Sequence, residues 1–598
     1  MGNNSYPMVW DLDVFYPGGS KSPEFAAELI GMEQDLAVAA AKLEDDSLSS
    51  YERVKQTVGL VQSVLLRLRQ SESFAACLLA QNMKDTPANG LNDRVKTIFA
   101  KYFGVMTRFD NELRQIADAD WTKLLQSQEA SVVAFTLAER REQAKEKLSP
   151  ELEELAGDLA VDGYHGWGEL YNLIVSNAKF TDTGKDGEQR VLSAGQMFNK
   201  LSDGDRSVRQ AAFREWEREW GEHAELCADA LNRIAGFRLK LYEKRGWDSA
   251  LKEPLQINRM SEATLQAMWT AIEEGKPLLV RYLERKAQLL GIEKLDWHDI
   301  GAPLGASSGT TSYDEAASLI VKQFAKFNPD FASFTEMAFK EGWIEAEDRA
   351  GKRPGGFCIP FSKDRQTRIF MTYSGTKDNV STLAHELGHA YHQYVLDDLP
   401  AFCQEYAMNV AETASTFAEL IVSDAAVQAA ADPEEKLSLL DLKIQSTVAF
   451  FMNIHTRFLF ETRFYEKRRQ GKVTVEELNE LMETAQREAH HGALGQAHPL
   501  FWASKLHFYL TDVPFYNFPY TFGYLFSAGI YAKAQQEGPA FAERYVELLR
   551  DTGRMTVEDL ALKHLGVKLD EPEFWRDAVA LTHKDIELFL SLTESEQG

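Results

Sequence analysis

The segment Ser381-Thr382-Leu383-Ala384-His385-Glu386-Leu387-Gly388-His389-Ala390-Tyr391 constrains this chain more than any other. Its two histidines can serve one ligand if the backbone is helical. One turn then sets them on one face, about 6 Å apart along the axis, where both imidazoles can hold a single zinc ion. Glu386, about 100° round the same helix, can flank the ion and take a proton from water beside it. The pattern thus supplies two ligands and a base. A catalytic zinc site needs a third protein ligand and an open position.

The metzincin spacing would require Gly at 391 and His at 395; the chain has Tyr391 and Val395, which excludes that class. His392 lies near the face of His385 and His389, but one more turn of straight helix would stretch the cluster beyond about 10 Å. Glu412 fits better. The first helix can run to about Asp397, where Asp397-Asp398-Leu399-Pro400 stops it, and a second can start near Gln404. In an antiparallel pair, about eight residues out and about eight back, at about 1.5 Å each, return the chain to the level of His389 at Glu412. Met408, Ala411, Glu412, Ser415 and Glu419 share one face of the second helix, and small Ala411 and Ser415 would let the helices approach closely. Glu419, two turns on, returns to the level of His385 and could hold its other ring nitrogen. Either glutamate could instead be an ordinary helix carboxylate.

Composition narrows the class. At 598 residues, with 44% hydrophobic and 26% charged residues, the chain is globular and too long for one core. A division into 1–115 (helical), 116–195 (small helical and hairpin subdomain) and 196–598 (catalytic) is expected. The formal charge of -26 disfavours phosphate backbones and anionic membranes, so neither nucleic acid nor membrane is an expected partner. No run approaches eighteen uncharged apolar residues. Cys77, Cys227, Cys358 and Cys403 are scattered, which suggests free thiols rather than disulfides or a thiolate zinc site. Met1-Gly2-Asn3-Asn4-Ser5-Tyr6 lacks a basic-then-apolar leader and the myristoylation pattern. A cytoplasmic location is the expectation, and the sequence sets no oligomeric state.

From about 21 to 160, apolar residues at three-and-four spacing, as in Val61-Val64-Leu65-Leu68, predict successive amphipathic helices. Leu173-Ile174-Val175 and Arg190-Val191-Leu192 flank a Gly/Asp turn at 183–187 and predict a hairpin. Helix resumes at Arg206 and runs to about 293, followed by a polar loop over Gly301 to Ser312. A second hairpin is expected from Gly355–Phe361 and Arg368–Tyr373, with Pro360 demoting its first run to an edge strand or bulge. Such an edge could pair with an extended peptide, making Gly356 and Tyr373 candidate substrate-binding residues, or the hairpin could simply cover the core. From 376 onward the pattern is almost continuously helical.

His385-Glu386-Leu387-Gly388-His389 followed by Ala411-Glu412-Thr413-Ala414-Ser415-Thr416-Phe417-Ala418-Glu419 resembles the zinc oligopeptidases of the thimet oligopeptidase type, closest to the oligoendopeptidase F branch. The Glu-x-x-Ser-x-x-x-Glu element distinguishes that family from other His-Glu-x-x-His enzymes. The resemblance implies a mainly α, two-lobed metallopeptidase with a deep channel that admits short peptides, and a small hairpin or sheet beside the zinc helix. It also implies a His and one or more Tyr in a C-terminal loop facing the zinc. The matching stretch here is His507-Phe508-Tyr509 and Pro514 to Tyr524. Gly523-Tyr524 matches the family's Gly-Tyr best, so Tyr524 ranks first as oxyanion donor, then His507, then Tyr516 and Tyr520; an aromatic-rich core helix is the alternative. Tyr520 and His498 are further candidates for contact with substrate.

The expected enzyme holds one Zn(2+) per chain through His385, His389 and Glu412, with water in the open position. Glu386 serves as general base and then as acid toward the leaving amine, and Tyr524 and His507 steady the oxyanion. Short peptides are the expected substrates. A zinc carboxypeptidase on the same scaffold and a non-catalytic peptide-binding scaffold are the rival readings.

Overall fold

Helix-forming composition and explicit start signals decide the N-terminal architecture. Ser22 caps helix Pro23–Leu43 through the Phe25 N–H, Ser49 and Glu52 form a reciprocal capping box ahead of Ser50–Gln81, and Asp85 caps Thr86–Gln115. Val54, Val58, Val61, Leu65 and Leu68 repeat at three-and-four spacing and are all buried, each contributing on the order of 1.5–3 kcal/mol of apolar transfer. The computed structural model describes residues 5–184, 187–305, 310–353 and 355–594. Residues 1–4 of the segment read for a leader, Lys185 and Asp186 of the expected turn, and 306–309 of the expected polar loop lie outside the described residues.

The chain is mainly α and divides into two compact units, each discontinuous in sequence: 1–147 with 309–425 and 533–566, and 148–308 with 426–532 and 567–598. In the first unit, the N-terminal helices pack against a three-stranded sheet of β3 (Ile344–Glu345), β4 (Phe357–Phe361) and β5 (Gln366–Phe370). The order is β3-β5-β4, with β3 parallel and β4 antiparallel to β5. The hairpin at 357–370 thus forms as expected, while β3, only two residues long, carries no alternating pattern to announce it. Pro360 sits on edge strand β4, where a missing N–H costs least. Ser73 donates to the Pro360 carbonyl at 2.6 Å and Gln70 accepts from the Asp364 N–H at 3.0 Å, which ties the hairpin to helix Ser50–Gln81.

Two further helices of this unit matter most. The His helix, Lys377–Leu396, is capped by Thr376 and ends at Asp397, where the sequence places its stop. The Glu helix begins at Met408 and runs to Ala429. The expected helical start near Gln404 is not observed: Ala401–Gln404 is a 3-10 turn that follows Pro400, and 405–407 is irregular. Pro400 caps that turn, its carbonyl accepting from the Cys403 N–H at 2.8 Å, the i to i+3 bond of a 3-10 helix. The return arm is therefore not the eight helical residues assumed from sequence.

In the second unit, helix Arg206–Arg245 runs for 40 residues, and helices Glu262–Leu289 and Glu573–Glu594 pack together. A small hairpin pairs β1 (Phe180–Thr183) with β2 (Gln189–Leu192). The first expected strand is displaced: Leu173, Ile174 and Val175 belong to helix Gly166–Asn177. Tyr171 and Ile174 are buried there while Leu173 is exposed, a helical spacing that outweighs the β-favouring run. Between helix Val475–Ala489 and helix Phe518–Glu537 the chain makes only short helical turns at Phe501–Ser504 and Leu506–Phe508. The four cysteines are free thiols. No helix of the described residues is long and apolar enough to cross a membrane.

Candidate metal centre

Gly388 explains how the two helices of the first unit come together. A Cβ added there would lie 2.5 Å from the Ala414 carbonyl oxygen and 2.6 Å from the Ser415 Cα, so the His helix touches the backbone of the Glu helix directly. This contact brings the Glu412 Oε2 to 3.3 Å from the His385 Nε2 and 3.5 Å from the His389 Nε2. Four-coordinate zinc with bonds of about 2.0–2.1 Å sets its ligand atoms about 3.3–3.4 Å apart, so these two spacings fit it. The three donor atoms all lie within 4.8 Å of one another.

The surrounding groups orient each donor. His385 Nδ1 meets Glu419 Oε2 at 3.2 Å, and His389 has a hydrogen bond to the Ala411 backbone. Ser415 donates its hydroxyl to Glu412 Oε2 at 2.7 Å. The electrostatics call for a cation. Although burial opposes it, Glu412 and then Glu419 hold the His385 proton up to about 10; a metal ion would take the place of that proton. Burial pushes His389 down to about 4, so it is a neutral donor. Against its own burial, Glu412 is drawn down to about 2 by His385 and His389.

Glu386 is 7% exposed and its Oε2, shut off from solvent, has no hydrogen-bond partner among the described residues. Burial raises it to about 7, with His385 opposing. A carboxylate left this way is poised to exchange a proton near neutrality. Gly356 lies next to it: a Cβ there would stand 3.6 Å from the Glu386 Oε1, so β4 passes directly beside the base. Burial, then the charge of Glu386, keeps the nearby Cys358 thiol well up in pKa and protonated, which makes it a poor nucleophile.

Other residues singled out from sequence are placed elsewhere. His392 is buried, with Nε2 2.9 Å from the Thr552 hydroxyl and its ring stacked on Tyr406 at 4.4 Å; it is not among the clustered donors. Tyr373 is buried and donates its hydroxyl to the Thr311 carbonyl at 2.9 Å. In the second unit, His498 is fully buried between Glu217 at 3.3 Å and Ser504 at 3.2 Å. Tyr524 is buried in helix Phe518–Glu537, with its hydroxyl 2.9 Å from that of Thr447 and its ring stacked on Phe450.

His507, Tyr516 and Tyr520 do come together: the His507 ring is 5.0 Å from that of Tyr516 and 6.4 Å from that of Tyr520, and Tyr520 donates to the Tyr516 hydroxyl at 3.2 Å. Arg457, which can only donate, meets Asn517 Oδ1 at 2.9 Å, and His507 Nδ1 meets the same oxygen at 2.7 Å. His507 therefore carries its proton on Nδ1 and presents a lone pair on Nε2. Burial, with Lys505 and Arg457 adding repulsion, lowers it to about 4.

A second donor group, Asp296, His298 and Asp299, also occurs in this unit. Arg206 reaches Asp299 at 2.8 Å and Asp296 at 2.9 Å, and Arg209 reaches Asp299 at 2.9 Å. Two guanidinium groups already balance the two carboxylates, which leaves no charge for a metal ion.

A His-Glu-x-x-His helix with a glutamate donor from the helix that follows, in a mainly helical chain, defines a metallopeptidase. The chain belongs to peptidase family M3, whose profile matches residues 200–581; the oligopeptidase F N-terminal profile matches 112–180. It is 22% identical over 550 residues to the oligoendopeptidase F homolog of Lactococcus lactis subsp. lactis (strain IL1403), covering 91% of this chain and 90% of that one. It is also 22% identical over 577 residues to the oligopeptidase PepF of Bacillus subtilis (strain 168), covering 94% and 84%. The fold matches a solved Chlamydophila abortus protein with a TM-score of 0.83 at 17% identity, over 98% of both chains. It matches oligoendopeptidase-F from Enterococcus faecium with a TM-score of 0.72 at 19% identity, over 96% and 99%. Peptides are the substrates that this family membership implies.

Proposed function

We propose that the chain is a zinc-dependent oligoendopeptidase that hydrolyses internal bonds of short, unfolded peptides. The observation that carries this reading is the convergence of the His385, His389 and Glu412 donor atoms within 4.8 Å, with Glu412 at 3.3 and 3.5 Å from the two imidazoles, beside a buried Glu386 carboxylate whose Oε2 has no hydrogen-bond partner among the described residues. Zinc held there supplies the Lewis acidity that makes water nucleophilic near neutral pH and polarises a carbonyl.

The chain's own groups do the rest. Glu386 takes a proton from the attacking water and returns it to the leaving amine. Glu419 fixes the orientation of His385, and Ser415 that of Glu412. Edge strand β4, away from the Pro360 carbonyl that Ser73 holds, supplies backbone groups for an extended peptide, with Gly356 leaving room beside the base. Stabilisation of the oxyanion passes from Tyr524 and His507 to Tyr516: the first has a buried, paired hydroxyl, the second presents a lone pair, and the third is partly exposed with its own O–H free to donate. The division into 1–115 (helical), 116–195 (small helical and hairpin subdomain) and 196–598 (catalytic) is kept as part of the proposal, and the matched segments 112–180 and 200–581 support its last two parts.

Glu386→Gln tests the assignment of the base. It should retain zinc and lose about 10²–10⁴-fold in kcat on an internally quenched peptide with both ends blocked. Near-wild-type turnover would remove Glu386 as base. Failure of the wild-type enzyme to cut the doubly blocked peptide would remove the endopeptidase reading.

A further inference from the structure

Tyr406 belongs to the same unit as the metal donors and carries a hydroxyl that no other described group there engages. It stands in the irregular stretch 405–407, two residues before the Glu helix begins at Met408. Its ring stacks on His392 at 4.4 Å with 16° between the planes, and His392 follows the donor His389 by three residues, about one turn of the His helix. The side chain is partly exposed, and among the described residues its hydroxyl makes no hydrogen bond. Cys358, Arg69 and Glu412 are the electrostatic neighbours of that hydroxyl, and Arg69 is already held by Glu405 at 2.7 Å. Burial, then Cys358, pushes the phenol up to about 12, so it keeps its proton and can donate a hydrogen bond at neutral pH.

Strand β4 of this unit has one residue whose main chain faces outward. Ile369 and Met371 direct their N–H groups to the β3 side, so Phe370 and Arg368 turn to β4, opposite Phe357 and Ile359. Alternation along an antiparallel pair then points the main-chain groups of Cys358 and Pro360 to the outer edge. Ser73 donating to the Pro360 carbonyl at 2.6 Å agrees with that direction. Proline has no N–H and this carbonyl is taken, which leaves Cys358 with both a donor and an acceptor on the edge. Its partly exposed side chain shares a face with Gly356, two residues earlier, whose added Cβ would meet Glu386. Cys358 is thus the common neighbour of Glu386 and Tyr406. Taking the peptide-hydrolase reading as its basis, we propose that Tyr406 is a substrate-positioning residue, its hydroxyl donating to a main-chain carbonyl of the peptide where the peptide passes Cys358.

The test uses the full-length zinc enzyme and one internally quenched peptide, remade with each carbonyl except the scissile one replaced in turn by a thiocarbonyl, a weak acceptor. Tyr406→Phe keeps the ring on His392 and removes only the hydroxyl. It should lower kcat/KM on the parent peptide about 3- to 10-fold, mainly through KM, with zinc affinity and denaturant unfolding as in the wild type. At one position the thiocarbonyl should cost the wild type that same factor and cost Tyr406→Phe nothing further; at the others both enzymes should lose equally. Wild-type kcat/KM in Tyr406→Phe, losses that add at every position, or a fall in zinc affinity that accounts for the lost activity would overturn the proposal. Fluorescence anisotropy with the labelled peptides on Glu386→Gln, with and without Tyr406→Phe, reads the same non-additivity without turnover. Its appearance there, with no cleavage by the wild type, would overturn the hydrolase reading alone.

Discussion

Replacing Gly388 with alanine separates a helix contact from a helix propensity by the sign of its effect. In the middle of an isolated helix, Gly→Ala stabilises by about 1 kcal/mol. Here the new methyl would stand 2.5 Å from the Ala414 oxygen and 2.6 Å from the Ser415 Cα, where about 3.3 Å or more is needed. The obstacle is backbone, which cannot swing aside like a side-chain tip, so the two helices must part by about 0.8 Å. Overpacking of this kind costs about 1–3 kcal/mol. Glu412 moves with the Glu helix, whereas zinc–ligand distances tolerate only about 0.2 Å, so zinc affinity should fall by about 10- to 100-fold or more. The assays are chelator competition for zinc and denaturant unfolding of the metal-free protein, each against wild type. A variant that binds zinc within about twofold of wild type and unfolds at a higher denaturant concentration, as propensity alone dictates, would refute the close-contact account.

Two further predictions concern the same centre. Glu419→Gln removes the charge facing His385 Nδ1 at 3.2 Å and should weaken zinc binding by about 10–100-fold while leaving one site per chain; unchanged affinity would deny Glu419 that role. In the metal-free protein His385 keeps its proton up to about 10, so zinc must displace it. Calorimetry in buffers of different ionisation enthalpy at pH 8 should show release of about one proton, and affinity should fall roughly tenfold per unit as pH drops below 10. Zinc binding without proton release would show that His385 is already neutral in the metal-free centre.

The metal donors were legible because they follow short-range helix geometry. His385 and His389 needed only the i, i+4 rule, and Glu412 and Glu419 only a shared face on the next helix. The path between the helices was less legible: the 3-10 turn at Ala401–Gln404 shortens the return arm, and Glu412 reaches the histidines because Gly388 lets the backbones touch. That contact depends on a partner helix, and so does the Ala411 backbone on His389. Pattern also misleads at Leu173-Ile174-Val175, where an apolar run with two β-branched residues occupies three positions of an amphipathic helix. Tyr524 was ranked by its local Gly-Tyr match, but burial and the Thr447 hydroxyl are tertiary facts. Asn517 and Arg457, which set the tautomer of His507, carry no sequence signal at all, because their meaning comes from one shared oxygen.

The central claim is that His385, His389 and Glu412 together hold one zinc ion. Elemental analysis of the purified protein after equilibration with limiting zinc and removal of the free metal tests it most directly, with Glu412→Ala and His389→Ala measured in parallel and their folding checked by circular dichroism. The account predicts one zinc per chain in the wild type and a large loss in both variants while their helical signal persists. A wild type that retains no zinc, or a folded Glu412→Ala protein that still holds one ion per chain at wild-type affinity, would contradict it.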